Sequence, residues 1–123
     1  MSALVRPWDS IEAHYSTPGH PSVAHLLRLI QEIRASRYVG GLFAWTSMYD
    51  LCIVQTSVAY PYDGPRLVVS PGTNGTLEFR YVDTPAKAQQ WHRVVPGERG
   101  FATLERFFEH LHWFVSAAPR PGA

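Results

Sequence analysis

Histidine and tryptophan lie side by side twice in the second half of this chain, first in QQWHRVV (89–95) and again in EHLHWFV (109–115). Such neighbours could hold a metal ion, stack on a nucleobase, line a catalytic pocket or pack in a core. Histidines that share one zinc ion from a helix need a spacing of three or four residues. His110 and His112 are only two residues apart, so the sequence predicts no metal site.

The EHLHWFV stretch belongs to a helix predicted over 100–117. On a wheel of about 100° per residue, Trp113 falls opposite the apolar arc of this helix. A large aromatic side chain in that position is either covered by neighbouring chain or marks an interface. Trp113 is therefore a candidate interface residue. Cover within the chain, by the tail or by neighbouring loops, is the favoured alternative, because Pro119 and Pro121 follow closely.

The QQWHRVV stretch suggests an anion-binding site. Strand alternation there places Arg93 and His92 on opposite sides. One hypothesis joins Arg93 to Arg80 and Tyr81 of the preceding strand, because neighbouring guanidiniums repel each other unless a carboxylate or phosphate joins them. In an enzyme, His92 would be a general acid or base. The alternative is a strand with solvated charges, in which Glu78 or Asp83 neutralises the arginines within the chain.

No catalytic residue set and no cofactor are predicted. The chain contains no serine between paired glycines, no HExxH or CxxC motif and no aspartate-rich calcium loop. Its glycine-rich stretches lack the spacing of a phosphate-binding loop. Cys52 lies in the apolar run LCIV, which favours a buried and inert thiol over a reactive one.

The elements that must position these residues follow from changes in hydrophobic period. Helical spacing predicts helices over 22–37 and 100–117, whereas short apolar or alternating runs predict strands over 42–48, 51–58, 66–70, 76–82 and, with poor alternation, 89–95. The predicted fold is α+β, an antiparallel four- to five-stranded meander flanked by an N-terminal and a C-terminal helix.

Composition along the chain predicts one domain. Residues 22–118 form the predicted α+β domain. The preceding segment 1–21 is predicted to be irregular, although WDSIEAHY could form a short helix. The last residues, 119–123, are predicted to be a mobile tail because prolines prevent the helix from continuing.

The first two strands are apolar on both faces, so each face needs a cover. Phe43 and Trp45 stand two residues apart and therefore project from the same face. Either the two long helices lie on opposite faces of the sheet, or a second subunit packs against one of them. Phe43 and Trp45 are therefore further candidate interface residues.

Charge and hydropathy restrict the class of partner. Eleven basic and ten acidic residues give a net charge of +1, whereas a protein that coats nucleic acid would carry a basic excess. No apolar run approaches the ~18–20 residues of a membrane span. The start of the chain lacks the apolar stretch of a signal peptide. The predicted location is the cytoplasm, with neither nucleic acid nor membrane as partner.

These observations favour a non-catalytic binding module. Its predicted partner is another protein or a second copy of itself in a homodimer, because aromatic residues are abundant while catalytic motifs are lacking. The alternative is a small enzyme or ligand-binding protein whose anion pocket forms around His92, Arg93 and Arg80.

Overall fold

The computed structural model of the chain describes residues 4–16, 21–59, 62, 64–82, 91–111 and 113. This part of the chain contains helices α1 (Trp8–Tyr15), α2 (Pro21–Arg34) and α3 (Gly100–Leu111). Its strands are β1 (Phe43–Ser47), β2 (Asp50–Val54), β3 (Arg66–Pro71), β4 (Thr76–Val82) and β5 (His92–Pro96). The predicted α+β fold is confirmed. Within the described ranges, no helix has the length and hydropathy needed to cross a membrane.

The five strands form one antiparallel sheet in the order β1-β2-β3-β4-β5. Each strand pairs with the next along the chain, as predicted for a meander, and the uncertain fifth strand is present. The β3–β4 turn contains Asn74 with φ 56° and Gly75 with φ 75°. These are the two residue types that most readily adopt positive φ, so the position of this turn follows from the sequence.

Helix α2 packs across β3 and β4, on what we call the inner face of the sheet. Its residues Val23, Leu26, Ile30 and Ile33 recur at three- and four-residue spacing, and all are buried. The strand residues of the same core cluster are Ala44, Leu51, Ile53, Leu67, Val69, Leu77, Phe79 and Tyr81. Burial of each large aliphatic side chain stabilises the fold by about 1.5–3 kcal/mol, so this layer is the main source of stability.

The N-terminal segment is more ordered than predicted. Helix α1 is the short helix that WDSIEAHY was expected to be able to form within the otherwise irregular stretch 1–21, and it buries Ile11 and Tyr15 in the core. The Tyr15 hydroxyl donates a hydrogen bond to the carbonyl oxygen of Tyr49, 2.9 Å away. Two buried positions four residues apart are too short a pattern to establish a packed helix from sequence. The tail 119–123 lies outside the described residues.

Helix α3 is shorter than predicted, since it ends at Leu111 rather than near 117. The Trp113 N–H donates to the carbonyl oxygen of Phe108 at 3.0 Å. This six-to-one hydrogen bond and the stacked Phe108–Trp113 rings are typical of a Schellman helix end. The chain therefore turns back, and Trp113 packs on Tyr81 and Phe107 with 7% of its surface exposed.

The interface prediction for Trp113 depended on a helix that continued past residue 111. Because the helix ends first, the ring enters the core and is not presented to a partner. The favoured alternative, burial of Trp113 within the chain, is confirmed. Its cover comes from strand and helix side chains, while the tail, including Pro119 and Pro121, lies outside the described residues.

A second apolar cluster lies on the opposite face of the sheet, which we call the outer face. Its buried members are Trp45, Cys52, Val54 and Val68. The partly buried residues packed against it include Leu4, Val5, Phe43, Val58 and Tyr62. The rings of Trp45 and Tyr62 meet edge-on, with centroids 6.0 Å apart. The N-terminal segment and the β2–β3 connection therefore cover this part of the outer face.

This arrangement corrects one of the two explanations offered for the apolar outer face. Helices α2 and α3 both belong to the inner core cluster, so the long helices do not lie on opposite faces. Phe43 and Trp45 do share one face, as their spacing predicts. Residues of the same chain cover them, and the two-sided apolar pattern needs no second subunit at this position.

Candidate functional site

The four predicted ligand residues divide between the two faces of the sheet. In the β4–β5 register, Arg80 pairs with His92 while Phe79 pairs with Arg93. Arg80 and His92 lie on the outer face. Tyr81 is buried in the inner cluster, and Arg93 lies on the same inner side. The predicted residues are therefore adjacent in the sheet but do not form one pocket.

On the outer face, His92 is paired with a carboxylate. Its Nε2 lies 2.7 Å from Oε2 of Glu78, and both side chains are well exposed. An exposed pair of this kind contributes about 0–1 kcal/mol to stability. Of the two carboxylates that could neutralise the neighbouring arginines, Glu78 hydrogen-bonds to His92, and Asp83 lies outside the described residues.

Arg80 lies in a shallow outer-face pocket of about 420 Å³. The pocket also contains the polar side chains of Arg66 and Asp50 and the buried thiol of Cys52. Burial, with a smaller contribution from Asp50, raises the pKa of that thiol to about 11. A thiol with this pKa is protonated at neutral pH and is a poor nucleophile.

On the inner side, Arg93 lies at the edge of the sheet. Its guanidinium carbon is 5.0 Å from the centroid of the Trp91 ring, a cation–π geometry. Its Nη1 also donates to the carbonyl oxygen of His92 at 2.7 Å. These two contacts hold the Arg93 side chain along β5, with its charge facing the space beside helix α3.

That space is a groove of about 580 Å³ between β5 and α3. Its polar lining consists of Arg93, Arg99, Thr103, Arg106, Glu109 and His110. Four of these residues, at positions 99, 103, 106 and 110, are spaced four, three and four apart, so they form one stripe along α3 and the turn before it. The stripe faces β5, and we call the space between them the basic groove.

The basic groove has an excess of positive charge. Three arginines line it, against the single carboxylate of Glu109. In the described part of the chain, no ion pair involves the guanidiniums of Arg99 or Arg106. Arginine remains charged at every physiological pH, so the groove attracts anions and the attraction strengthens where a ligand excludes water.

Similarity to other proteins does not assign this groove a function. No family model, no curated protein and no solved structure matches the chain. Among the residues that the structure describes, no three His, Cys, Asp or Glu side chains come together in a way that could hold a metal ion. The function has to be argued from the geometry and charge of the site itself.

Sequence reasoning identified Arg93 but missed Arg99, Arg106 and His110. A signal for them exists, because their spacing continues along one face of the predicted C-terminal helix. Charged residues on one face of an amphipathic helix usually lie toward solvent, so the spacing alone does not predict a site. Only the position of β5 beside the stripe turns it into one wall of a groove.

Proposed function

We propose that this protein is a non-catalytic binding module whose ligand is anionic and occupies the basic groove. The observation that carries the proposal is the presence of Arg93, Arg99 and Arg106 around one groove with a single carboxylate. Three guanidiniums facing one space repel each other, and an anion between them relieves this repulsion while accepting charge-assisted hydrogen bonds.

The rival proposal places an anion pocket around His92, Arg93 and Arg80. Its support is weaker, because Arg80 and His92 lie on the outer face while Arg93 faces α3. His92 is in addition held by Glu78. Of the three residues in the rival pocket, only Arg93 lines the basic groove, where it lies opposite the stripe on α3.

We further propose that the partner is another protein rather than a second copy of this chain. The predicted dimer interface was the apolar outer face at Phe43 and Trp45. That region is packed against Leu4, Val5 and Tyr62 of the same chain, which leaves the basic groove as the stronger candidate for recognition.

The test is calorimetric titration at low salt with three probes, namely citrate, inorganic pyrophosphate and a blocked hexaglutamate peptide. We expect at least one probe to bind, and its affinity to fall several-fold in Arg106→Gln and in Arg99→Gln. Added salt should weaken binding, since screening shortens the range of the attraction to roughly 8–10 Å.

The matched control is Arg28→Gln, which removes the same charge from an exposed position on α2. It should leave the affinity unchanged. The proposal is wrong if no probe binds, or if Arg28→Gln weakens binding as much as the two groove variants, because the effect would then reflect net charge alone.

A further inference from the structure

We infer that the ligand of the basic groove is an extended acidic segment of a partner protein that adds to β5 as a sixth strand. This inference rests on the proposed function and specifies the ligand of the same site. Its support comes from the outer edge of β5, which no described segment pairs with, from the charge beside that edge and from the side chains on the two faces of β5.

The hydrogen bonds at the two ends of β5 define which backbone groups face β4. Trp91 accepts a bond of 2.9 Å from the N–H of Tyr81, and the N–H of Gly97 donates at 2.8 Å to Gly75. Antiparallel strands alternate between residues that bond inward to the neighbour and residues that face away from it. The odd-numbered residues of β5 therefore face β4, and the even-numbered residues face outward.

The outward backbone groups belong to His92, Val94 and Pro96. Among the described residues, no chain pairs with the N–H groups of His92 and Val94 or with the Val94 carbonyl. The His92 carbonyl accepts only from the side chain of its neighbour Arg93. Pro96 has no N–H, so it ends the row of donors. An edge of this kind is a template for an added strand.

The other edge of the sheet differs in this respect. The N–H of Arg6 donates to the carbonyl of Ala44 in β1 at 2.8 Å, and the two residues form an antiparallel bridge. The N-terminal segment therefore covers part of the β1 edge. Of the two sheet edges in the described structure, the β5 edge is the one bordered by a charged groove.

The side chains beside β5 predict the sequence pattern of the added strand. Alternate residues of such a strand would point toward α3, where Arg93, Arg99 and Arg106 favour acidic side chains. The intervening residues would lie on the outer face beside Val94, which is 57% exposed and favours an apolar neighbour. The preferred segment alternates acidic and apolar residues.

A single-stranded nucleic acid would also carry negative charge, but it suits this edge less well. The open edge offers both N–H donors and a carbonyl acceptor, which a peptide backbone can satisfy in alternation. The phosphodiester groups of a nucleic acid are acceptors only, so they cannot satisfy the outward carbonyl. The net charge of the whole chain, +1, also lacks the basic excess that nucleic-acid binding draws on.

The experiment uses the full chain and a blocked hexapeptide of alternating glutamate and valine. Two matched peptides carry N-methyl groups, one on the valine amides and the other on the glutamate amides. Directly opposed residues of antiparallel strands share a face, so the valines opposite Val94 would donate to β5. For an antiparallel strand, we expect valine methylation to weaken binding about tenfold or more, and glutamate methylation to have much less effect.

A protein variant provides the complementary test. Val94→Pro removes one outward N–H and leaves the bonds to β4 in place, because proline is tolerated on edge strands when its nitrogen faces outward. It should weaken the unmethylated peptide while a thermal melt shows the fold intact. Should Val94→Pro unfold the chain, the peptide methylation series by itself decides.

The outcomes separate the two proposals. If the peptide binds and Arg106→Gln weakens it, but both methylation patterns act equally, strand addition is wrong and the anion-binding groove remains. If a single-stranded oligouridylate binds more tightly than the peptide, the assigned ligand class is wrong. If neither the peptide nor the simple anions bind, the proposed function fails as well.

Discussion

The thiol of Cys52 lies on the outer face beside Trp45 and Val68, with 5% of the residue exposed. Burial raises its pKa from 9.0 to about 11. Because the unfolded chain ionises this thiol at lower pH than the folded chain does, the associated stability is fully present below about pH 8. It is then lost as the pH rises toward the folded-state pKa.

We expect the wild type to lose about 1–1.5 kcal/mol of this stability by about pH 10. Denaturant unfolding of the wild type and Cys52→Ala at neutral pH and near pH 10 measures it. The variant should be less stable at neutral pH but should lose less on going to high pH. Equal losses in the two proteins would show that the thiol titrates as it does in the unfolded chain.

Met48 adopts a backbone conformation that suits glycine. Its φ is 58°, and it is the first residue of the two-residue loop between Ser47 and Asp50, which pair across the β1–β2 hairpin. Loops with positive φ at this position usually contain glycine there. The side chain is 86% exposed, so its packing contributes little to offset the strain.

Met48→Gly should therefore raise the free energy of unfolding by about 0.5–1 kcal/mol, because glycine avoids the left-handed penalty at some cost in chain entropy. Tyr49→Gly is the matched control, since Tyr49 does not have positive φ and should lose stability. Chemical denaturation measures both variants. A loss of stability in Met48→Gly equal to that in Tyr49→Gly would contradict the strain argument.

At the scale of elements, helix α2 and the turn between β5 and α3 meet at Gly97. A Cβ atom at Gly97 would collide with the imidazole ring of His25. Glycine at this position therefore allows α2 to approach the end of β5, which is also the end of the basic groove. The contact links the inner core to the wall of the proposed binding site.

Gly97→Ala should lower the free energy of unfolding by about 1–3 kcal/mol, as overpacking does. His25→Ala in the same chain should remove much of that cost, because the colliding ring is then absent. Gly40→Ala is the control, since no atom lies within 4 Å of its added Cβ. Thermal or denaturant unfolding measures the wild type, Gly97→Ala, His25→Ala, the double variant and Gly40→Ala. If Gly97→Ala costs as much stability in the His25→Ala background as in the wild type, His25 is not the obstacle.

At the scale of the whole molecule, the sheet has a helical layer on its inner face and chain segments over part of its outer face. Trp45 is central to the outer cover, and its removal leaves a cavity under Tyr62. We expect Trp45→Ala to cost roughly 3–5 kcal/mol, as other large aromatic truncations do. Because the cover belongs to the same chain, the melting temperature should not depend on protein concentration.

Melting curves and light scattering of the wild type and Trp45→Ala, over a wide range of protein concentration, test this expectation. Leu4→Ala is a useful companion variant, since Leu4 packs against the same cluster from the N-terminal segment and should cost less. A dimeric wild type that becomes a stable monomer in Trp45→Ala would show that a second subunit packs against this face.

The sequence by itself determined the elements whose pattern is local. Helix α2 follows from the spacing of its apolar residues, and β4 follows from strict alternation of Leu77, Phe79 and Tyr81. The burial of Cys52 and the positive φ angles at Asn74 and Gly75 were predictable for the same reason. Each depends on residue types within a few positions of one another, where chain geometry leaves few choices.

Tertiary structure decided which of these elements meet. Strand alternation alone places Arg80 and Tyr81 on opposite faces of the sheet. Only the β4–β5 register shows that Arg80 lies opposite His92. Because α3 ends early, Trp113 packs in the core. Because α3 lies beside β5, the face of α3 that carries Arg106 forms one wall of a groove. Such contacts depend on packing between segments that are distant in the chain. The free energy of this packing depends on all the neighbouring side chains together, so no periodic sequence pattern predicts it.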